Sequence, residues 1–214
     1  MQGLMMDRPL LVSTLLQHAE ATYPNTEIVS RRCEGDIHRY TMKDAASRAR
    51  KVANLLTRLD IQDSDRVATL AWNNYRHFEL YYGISGFGAV LHTITPRLFA
   101  EQLVYIINHA EDRYIFVDLT FVPLLEAILP HIGNVEGFII LCDEDKMPET
   151  KLPNALCYET LLAAESDEFE WPEFPETKGA SMCYTSGTTG NPKGVLYSHR
   201  STCLHAFASV GEEV

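Results

Sequence analysis

The chain has 214 residues, of which 46% are hydrophobic and 22% charged, and its formal net charge is −11. This composition is typical of a folded globular domain and excludes most disordered chains. The negative charge argues against a general binder of nucleic acid or of anionic membranes, since both repel it. We therefore expect small-molecule partners and no nucleic acid.

Cysteine usage and the amino terminus bear on the compartment. The five cysteines are an odd number without a C-x-x-C pair, which is typical of neither a disulfide framework nor a zinc site. The first residues lack the basic region and apolar run of a secretory signal. No stretch approaches the ~18 apolar residues that a membrane span needs. We predict a cytoplasmic protein without a membrane span.

Apolar residues alternate along the chain between helical spacing and short continuous runs. Thr41, followed three residues later by Asp44, has the form of a capping box at a helix start. The pattern predicts helices over 11–19, 42–59, 76–85, 99–110 and 121–132, a helix–strand junction over 86–91, and strands over 27–30, 66–71, 114–118 and 138–141. Continuous apolar strands between helices favour an α/β fold, a doubly wound, mostly parallel sheet with helices on both faces.

An acidic segment interrupts this alternation. Between Asp143 and Glu176 lie eleven carboxylates, two lysines and four prolines, so nine of the eleven net negative charges are there. We interpret the segment as an exposed connection with one short helix near 158–164. The predicted organisation is a first α/β sheet subdomain (1–142), an acidic Pro-rich connection (143–178), and the start of the next sheet segment (179–214).

The segment 184–195, Tyr-Thr-Ser-Gly-Thr-Thr-Gly-Asn-Pro-Lys-Gly-Val, carries the clearest chemical pattern. Glycines let backbone N–H groups turn toward a common point, and such a concavity binds anions. Hydroxyl side chains add donors for phosphate oxygens or a ligand for Mg²⁺, and Lys193 adds a compact positive charge. The pattern favours polyphosphate binding over a flexible Ser/Thr/Gly hairpin, which stays open as the alternative. It is not the Walker loop, because Pro192 stands where that motif needs its second glycine.

The same segment resembles the signature loop of the adenylate-forming superfamily, which includes acyl-CoA synthetases, luciferases and the adenylation domains of peptide synthetases. Further stretches, over 65–70, 89–93, 96–98, 108–112 and 197–200, are similar to medium- and long-chain fatty-acyl-CoA synthetases. The chain also looks similar to ligases that activate methylthiopropionate. An enzyme for amino or aryl acids fits these stretches less well.

The resemblance implies a fatty-acid–CoA ligase that converts a carboxylate and ATP into acyl-AMP and pyrophosphate, and then uses coenzyme A to release acyl-CoA and AMP. It implies ATP phosphate binding by Thr185, Ser186, Gly187, Thr188, Thr189, Gly190 and Lys193, with Thr185 also holding Mg²⁺. Members of the superfamily are much longer than 214 residues. We therefore expect an amino-terminal part without the catalytic lysine or the carboxy-terminal domain, inactive alone.

Two alternative functions and the role of one histidine remain open. The acid could be 3-methylthiopropionate or another short acid, or the chain could be a non-catalytic nucleotide-binding or dimerisation module, since the resemblance allows a homodimer. His199 could reach a phosphate, but packing or helix capping is an equal explanation. We expect His92 to be a core histidine with a hydrogen-bond partner and Asp118 to be a turn residue. Trp72, Tyr81, Tyr82 and Phe87 are predicted to pack in the core.

Overall fold

A computed structural model of the chain describes residues 1, 3–5, 7–185 and 191–211. Its strands are β1 (Glu27–Arg31), β2 (Ile37–Thr41), β3 (Arg66–Leu70), β4 (Val90–Thr93), β5 (Tyr114–Asp118), β6 (Gly137–Leu141), β7 (Ala155–Cys157), β8 (Gly179–Thr185) and β9 (Lys193–Ser198). Its helices are α1 (Val12–Thr22), α2 (Met42–Arg58), α3 (Tyr75–Phe87), α4 (Ala100–Ala110), α5 (Val122–Ile128), α6 (Tyr158–Ala163) and α7 (His199–Gly211).

Seven strands form one sheet in the order β7-β6-β5-β3-β4-β8-β9. All neighbouring pairs are parallel except β8 and β9, which are antiparallel. The predicted α/β fold with a mostly parallel sheet is confirmed. The chain moves from β3 to β4 on one side of β3 and then crosses to β5 on the other. The order of the strands therefore reverses at β3, and crevices that bind ligands in such folds lie at this kind of reversal.

Both faces of the sheet are covered along its central strands β3, β5 and β6, which explains why these strands are mostly apolar. One face, with Ala68 and Ile115, packs against α4 and α5. The other face, with Val67 and Phe116, packs against α2, α3 and α6. All five residues of β6 are buried. A strand covered on both faces has no polar side to present, so its sequence is a continuous apolar run.

The predicted capping box at the start of α2 is confirmed. The backbone N–H of Asp44 donates to the Thr41 hydroxyl at 3.3 Å, and the Thr41 N–H donates to the Asp44 carboxylate at 2.9 Å. These two bonds satisfy N–H groups that have no partner within the helix. The helix then buries one face, whose residues are Ala45, Ala46, Ala49, Val52, Ala53, Leu55 and Leu56.

Strand β2 was not predicted, and with β1 it forms a separate antiparallel hairpin. Its turn includes Gly35 at a φ of +101°, a conformation that glycine adopts without steric cost. The strand Ile37–Thr41 has two charged or imidazole side chains and only partial burial, so it lacks a clear apolar pattern. The hairpin packs on α3 instead, where His38 stacks on Tyr75 with ring centroids 3.7 Å apart.

Two predictions about apolar segments were wrong in detail. The helix over 121–132 is shorter, because α5 ends at Ile128 and Pro130 lies in a 3₁₀ turn that follows. The aromatic residues do not share one core. Trp72 is 46% exposed and lies on Phe121, whereas Tyr81 is 39% exposed and lies on His77. Trp72 precedes α3, whereas Tyr81, Tyr82 and Phe87 lie on it and face different sides of the helix, so that Tyr82 and Phe87 pack half-buried against two separate core clusters.

The acidic segment packs against the main sheet and against α2. Within it, β7 adds a parallel strand to β6, and α6 packs against α2. The side chain of Asn54 on α2 donates to two backbone carbonyls of the segment, those of Ser166 and Glu168. Further on, β8 pairs with β4 in the main sheet. The division into subdomains at 142 and 178 stays a prediction. Strands from all three predicted parts belong to one sheet.

A buried arginine joins the hairpin, the sheet and the acidic segment. Arg76 on α3 is 1% exposed, and its guanidinium contacts Glu34 at 2.8 Å, Asp143 at 2.7 Å and Glu159 at 2.8 Å. It also donates to the backbone carbonyl of Leu141 at 3.0 Å. Three carboxylates from separate parts of the chain therefore meet at one buried guanidinium, and Asp143 and Glu159 each pair with a second arginine as well, Arg32 and Arg48. Acidic residues of the connection thus have a structural role that their composition does not indicate.

Candidate functional site

The predicted phosphate loop joins β8 and β9 at the edge where the parallel strands end. Thr185, the last residue of β8, lies opposite Lys193, the first residue of β9. Strand β8 runs parallel to β4, with Cys183 opposite Thr93, so the carboxyl ends of both strands meet at this edge. Ligands of open α/β sheets bind outside the carboxyl ends of the strands. The loop thus starts from the edge where a nucleotide is expected.

The two described members of the predicted set face each other across the hairpin. The Thr185 hydroxyl lies 3.5 Å from the Lys193 backbone carbonyl, and both side chains are exposed. Ser186, Gly187, Thr188, Thr189 and Gly190 lie outside the described residues. The structure therefore places Thr185 and Lys193 together at one strand end, while the roles of the other five rest on the sequence.

Tyr184, one residue before the loop, is 9% exposed, in contrast to Thr185. Its hydroxyl shares a hydrogen bond with Nδ1 of His109 at 2.7 Å, at the end of α4. Burial, followed by the negative charge of Asp112, raises the pKa of the Tyr184 phenol. The phenol is thus neutral and available for hydrogen bonding. Sequence reasoning did not single out His109, because the contact joins residues 75 positions apart.

A histidine–aspartate pair lies behind Tyr184 in the same core. Nδ1 of His92 and the Asp112 carboxylate are 2.7 Å apart, and both side chains are fully buried. Burial raises the pKa of Asp112, and the hydrogen bond with His92 opposes that effect. His92 is the core histidine that the sequence predicted, but its Nε2 makes no hydrogen bond within the described chain. Asp112 was not predicted, although a buried strand histidine signals that some partner is needed.

His199 follows β9 at the end away from Lys193, and it joins two helices. Its Nδ1 accepts a hydrogen bond from the backbone N–H of Val12 at 3.1 Å, which ties α7 to α1. Burial and then the charge of Lys178 lower its pKa to about 4, so the ring is neutral at pH 7. Packing, one of the two explanations for this residue, therefore agrees with the geometry. A neutral buried ring brings no positive charge to a phosphate.

His199 and His77 make a testable contribution to pH-dependent stability. Burial lowers the pKa of His77 to about 4 as well. Between about pH 6.5 and 4 the unfolded chain binds protons that the folded chain does not, so stability falls as pH falls through this window. Each histidine should lower the free energy of unfolding by about 2 kcal/mol when the pH falls from 7 to 5. Urea unfolding at both pH values measures it.

The matched variants are His199→Gln and His18→Gln. His199→Gln removes the titrating ring and keeps an acceptor near Val12, so the loss of stability between pH 7 and pH 5 should shrink. His18 is exposed on α1, and His18→Gln should leave the pH dependence as it is. An unchanged pH dependence in His199→Gln would contradict the assignment.

Asp118 anchors the turn that follows β3. Its carboxylate accepts from the Trp72 backbone N–H at 2.6 Å and lies 3.3 Å from the Asn74 side-chain amide. Burial raises its pKa, and the hydrogen bond from Trp72 opposes that effect. Asp118 is the fully buried last residue of β5, so instead of being a residue of this turn it holds the turn from a neighbouring strand. A cavity of about 280 Å³ lies beside this turn, lined by Ile28, Ser30, Asn73, Asn74, His77, Phe78 and Tyr81.

A second, open groove of about 420 Å³ lies between α3 and α7. Its floor includes Thr93 and Cys183 at the carboxyl ends of β4 and β8, two residues before Thr185. Tyr81, Met182 and Tyr197 contribute apolar surface, and Ser201 and Thr202 contribute hydroxyls. The groove thus reaches the edge of the sheet that carries the predicted phosphate loop.

The described chain offers only part of a magnesium site. Mg²⁺ prefers oxygen ligands and is commonly held by one or two carboxylates together with substrate phosphates. The exposed Thr185 hydroxyl is one such oxygen. No group of three His, Cys, Asp or Glu side chains within the described ranges is arranged to hold a metal ion. Nor does any described helix combine the length and apolarity needed to cross a bilayer.

Comparisons with known proteins agree with this geometry. The chain is 50% identical over its whole length to a 3-methylmercaptopropionyl-CoA ligase of Ruegeria lacuscaerulensis, of which it covers 40%. It is 44% identical over 98% of its length to a medium-chain-fatty-acid–CoA ligase of Ectopseudomonas oleovorans, of which it covers 38%. The fold matches 36% of the anthranilate CoA ligase AuaEII, solved in complex with anthranoyl-AMP, with a TM-score of 0.78 over 91% of this chain at 21% identity.

The chain spans about two fifths of the length of these curated relatives. The model of one family, described as AMP-binding enzyme, matches residues 16–213, which include both strands of the hairpin and the loop between them. Together with the α/β sheet and the position of Thr185 and Lys193, this match establishes that the chain belongs to the family of AMP-binding enzymes.

Proposed function

We propose that this chain is the ATP phosphate-binding part of an AMP-forming acyl-CoA ligase. In the first half-reaction a carboxylate oxygen attacks the α-phosphorus of ATP, giving acyl-AMP and pyrophosphate. In the second, the thiol of coenzyme A attacks the acyl carbon and AMP leaves with the bonding electrons. The observation that carries the proposal is the segment 184–195 at the carboxyl edge of the sheet, with Thr185 opposite an exposed Lys193.

The two described residues would act by charge and position. Lys193 would place a compact positive charge against the β- and γ-phosphates, where negative charge accumulates as pyrophosphate leaves. The Thr185 hydroxyl would hold Mg²⁺, which neutralises charge on the phosphates when bound. We assign the remaining phosphate contacts to residues 186–190 on the sequence pattern. Coenzyme A would react at the same edge, after pyrophosphate has gone.

For the acid, we propose a medium- or long-chain fatty acid as the first candidate. Its apolar tail would lie in the groove between α3 and α7, against Tyr81, Met182 and Tyr197. The second candidate is a short acid such as 3-methylthiopropionate. It is favoured by the 50% identity over the whole chain, against 44% for the medium-chain relative and 42% for the long-chain ligase of Thermus thermophilus.

The chain would work together with more of the ligase. Strand β9 is an edge strand of the described sheet, and apolar side chains on it and on α7 are exposed, namely Leu196, Tyr197, Leu204 and Phe207. Leu196 and Tyr197 are consecutive in a strand, so they are exposed on opposite faces of the sheet, and apolar surface exposed in this way is available for contact with another domain. We propose that further domains of the ligase cover these side chains. The cytoplasmic location and a homodimer stay predictions.

The test compares the 214-residue chain with a complete ligase that contains it. The complete ligase should catalyse acid-dependent exchange of pyrophosphate into ATP, whereas the chain alone should stay at background, because it spans about two fifths of the length of the curated relatives and its groove is open. The assay uses 3-methylthiopropionate and straight-chain acids from butyrate to palmitate.

Each outcome decides between candidates. Highest exchange with a straight-chain acid supports the fatty-acid candidate, and highest exchange with 3-methylthiopropionate supports the second. Exchange by the isolated chain that survives repurification would contradict its dependence on the rest of the ligase. A complete ligase that binds ATP but exchanges pyrophosphate with none of the acids would favour the non-catalytic nucleotide-binding alternative.

A further inference from the structure

The residue before the predicted phosphate loop is held from a distant helix. Tyr184 ends the buried part of β8, and its hydroxyl bonds to Nδ1 of His109 at 2.7 Å. The two rings meet edge to face, with centroids 5.8 Å apart. The ring of His92 on β4 lies 5.1 Å from the Tyr184 ring. The phenol is therefore fixed between β4 and the end of α4.

The same ring also lies over the start of β9. Gly194 is opposite Tyr184 in the antiparallel pair. A methyl group added at Gly194 would lie 3.2 Å from Cζ of Tyr184, which is tighter than ordinary contact, and 3.4 Å from its hydroxyl oxygen. Glycine at this position therefore lets the ring rest on the backbone of the second strand. The side chain of Tyr184, which belongs to β8, therefore also contacts the backbone of β9.

We infer that Tyr184, His109 and Gly194 form a brace that positions Thr185 and Lys193 for the phosphates of ATP. The inference rests on the proposed function and adds positioning residues to it. Strand β9 is paired only with β8 in the described sheet, so the place of Lys193 depends on the end of β8. The hydrogen bond to His109 ties that end to α4. Small displacements of positioning groups cost much in rate, since phosphoryl chemistry depends on alignment.

The first experiment removes the hydrogen bond in the complete ligase. Tyr184→Phe keeps the ring and loses the hydroxyl, and His109→Leu removes the partner. Each should lower kcat/KM for ATP in the adenylation half-reaction by about three- to tenfold, the value of one hydrogen bond. The KM for the acid and the rate of thioester formation from supplied acyl-adenylate should change little. The double variant should lose no more than either single variant, and His109→Gln, which keeps a polar partner, should recover part of the loss.

The second experiment moves the ring without removing any polar group. Gly194→Ala pushes against Tyr184 and should produce the same bias toward the ATP-dependent half-reaction. Gly137→Ala is the matched control, because a methyl group there would lie 2.9 Å from Cε1 of Tyr114, also opposite in register, but near the start of β6. It should affect thermal stability without favouring either half-reaction. Tyr23→Phe, which removes the hydroxyl of an exposed tyrosine after α1, should leave thermal stability and both half-reactions unchanged.

The results separate this inference from the proposed function. Equal losses in both half-reactions, or a lower melting temperature with unchanged kcat/KM for ATP, would show a structural role only and overturn the brace. Additive losses in the double variant would also overturn it, since the two changes would then act independently. A wild-type ligase without acid-dependent exchange would contradict the proposed function itself, before any variant is compared.

Discussion

Lys193→Ala in the complete ligase should lower acyl-adenylate formation by about ten- to a thousandfold, equivalent to about 1.4 to 4 kcal/mol of transition-state stabilisation. The side chain is exposed at the start of β9, where its charge would face the departing pyrophosphate. Thr185→Val should act in the same direction, because it removes the hydroxyl and keeps the shape. Pyrophosphate exchange measures the first half-reaction, and thioester formation from supplied acyl-adenylate measures the second.

The second half-reaction involves no β- or γ-phosphate and should lose far less. Thr185→Ser, which keeps the hydroxyl, should retain most of the activity. Lys43→Ala serves as the charge control, since Lys43 is exposed on α2, away from the loop. Melting temperatures should hardly change in any of these variants. Equal losses in both half-reactions would support the plain hairpin and exclude a phosphate-binding role for Lys193.

Arg76→Met should lower the free energy of unfolding by about 3–5 kcal/mol, the usual cost of removing one partner from a buried ion pair. The variant leaves Glu34, which is 3% exposed at its side chain, without its positive partner. It also removes the contacts with Asp143 and Glu159 that attach the acidic segment to α3. Urea unfolding of the chain at pH 7 measures the loss.

Two controls give this loss its cause. Arg39→Met removes an ion pair with Glu27 in which both side chains are more than half exposed, and should cost about 0–1 kcal/mol. Adding Glu34→Gln to Arg76→Met should restore part of the stability, because it removes a buried negative charge. A loss in Arg76→Met no larger than in Arg39→Met would contradict the role of Arg76 as the buried partner of Glu34.

The same arginine shows why composition was a poor guide to the acidic segment. Read alone, eleven carboxylates among four prolines indicate a solvated connection. In the fold, Asp143 and Glu159 face Arg76, and Leu162 packs in the core under α2. Arg76 lies 67 residues from Asp143 and 83 residues from Glu159 in the chain. Local patterns carry no information about contacts at such separations, so these carboxylates were not assigned a structural role.

The candidate site likewise combines residues that the local sequence predicts with residues that only the fold brings together. The sequence predicted Thr185 and Lys193, because the glycines, hydroxyls and lysine that phosphate binding needs are consecutive in the chain. It missed His109 and Gly194 as positioning residues, because their common partner, Tyr184, reaches them across the sheet. Gly194 was identified as part of the motif, but its close approach to an aromatic ring required the register of β8 and β9.

By itself, the sequence determined the α/β class, most helices and strands, the capping box of α2 and the motif that resembles adenylate-forming enzymes. These follow from periodicity and from short-range hydrogen bonding, both of which act within a few residues. Only the tertiary structure decided the strand order, the separate hairpin of β1 and β2, the buried pair of His92 and Asp112, and the contact of Tyr184 with His109. These depend on which distant segments pack together, and that is set by burial of the whole core.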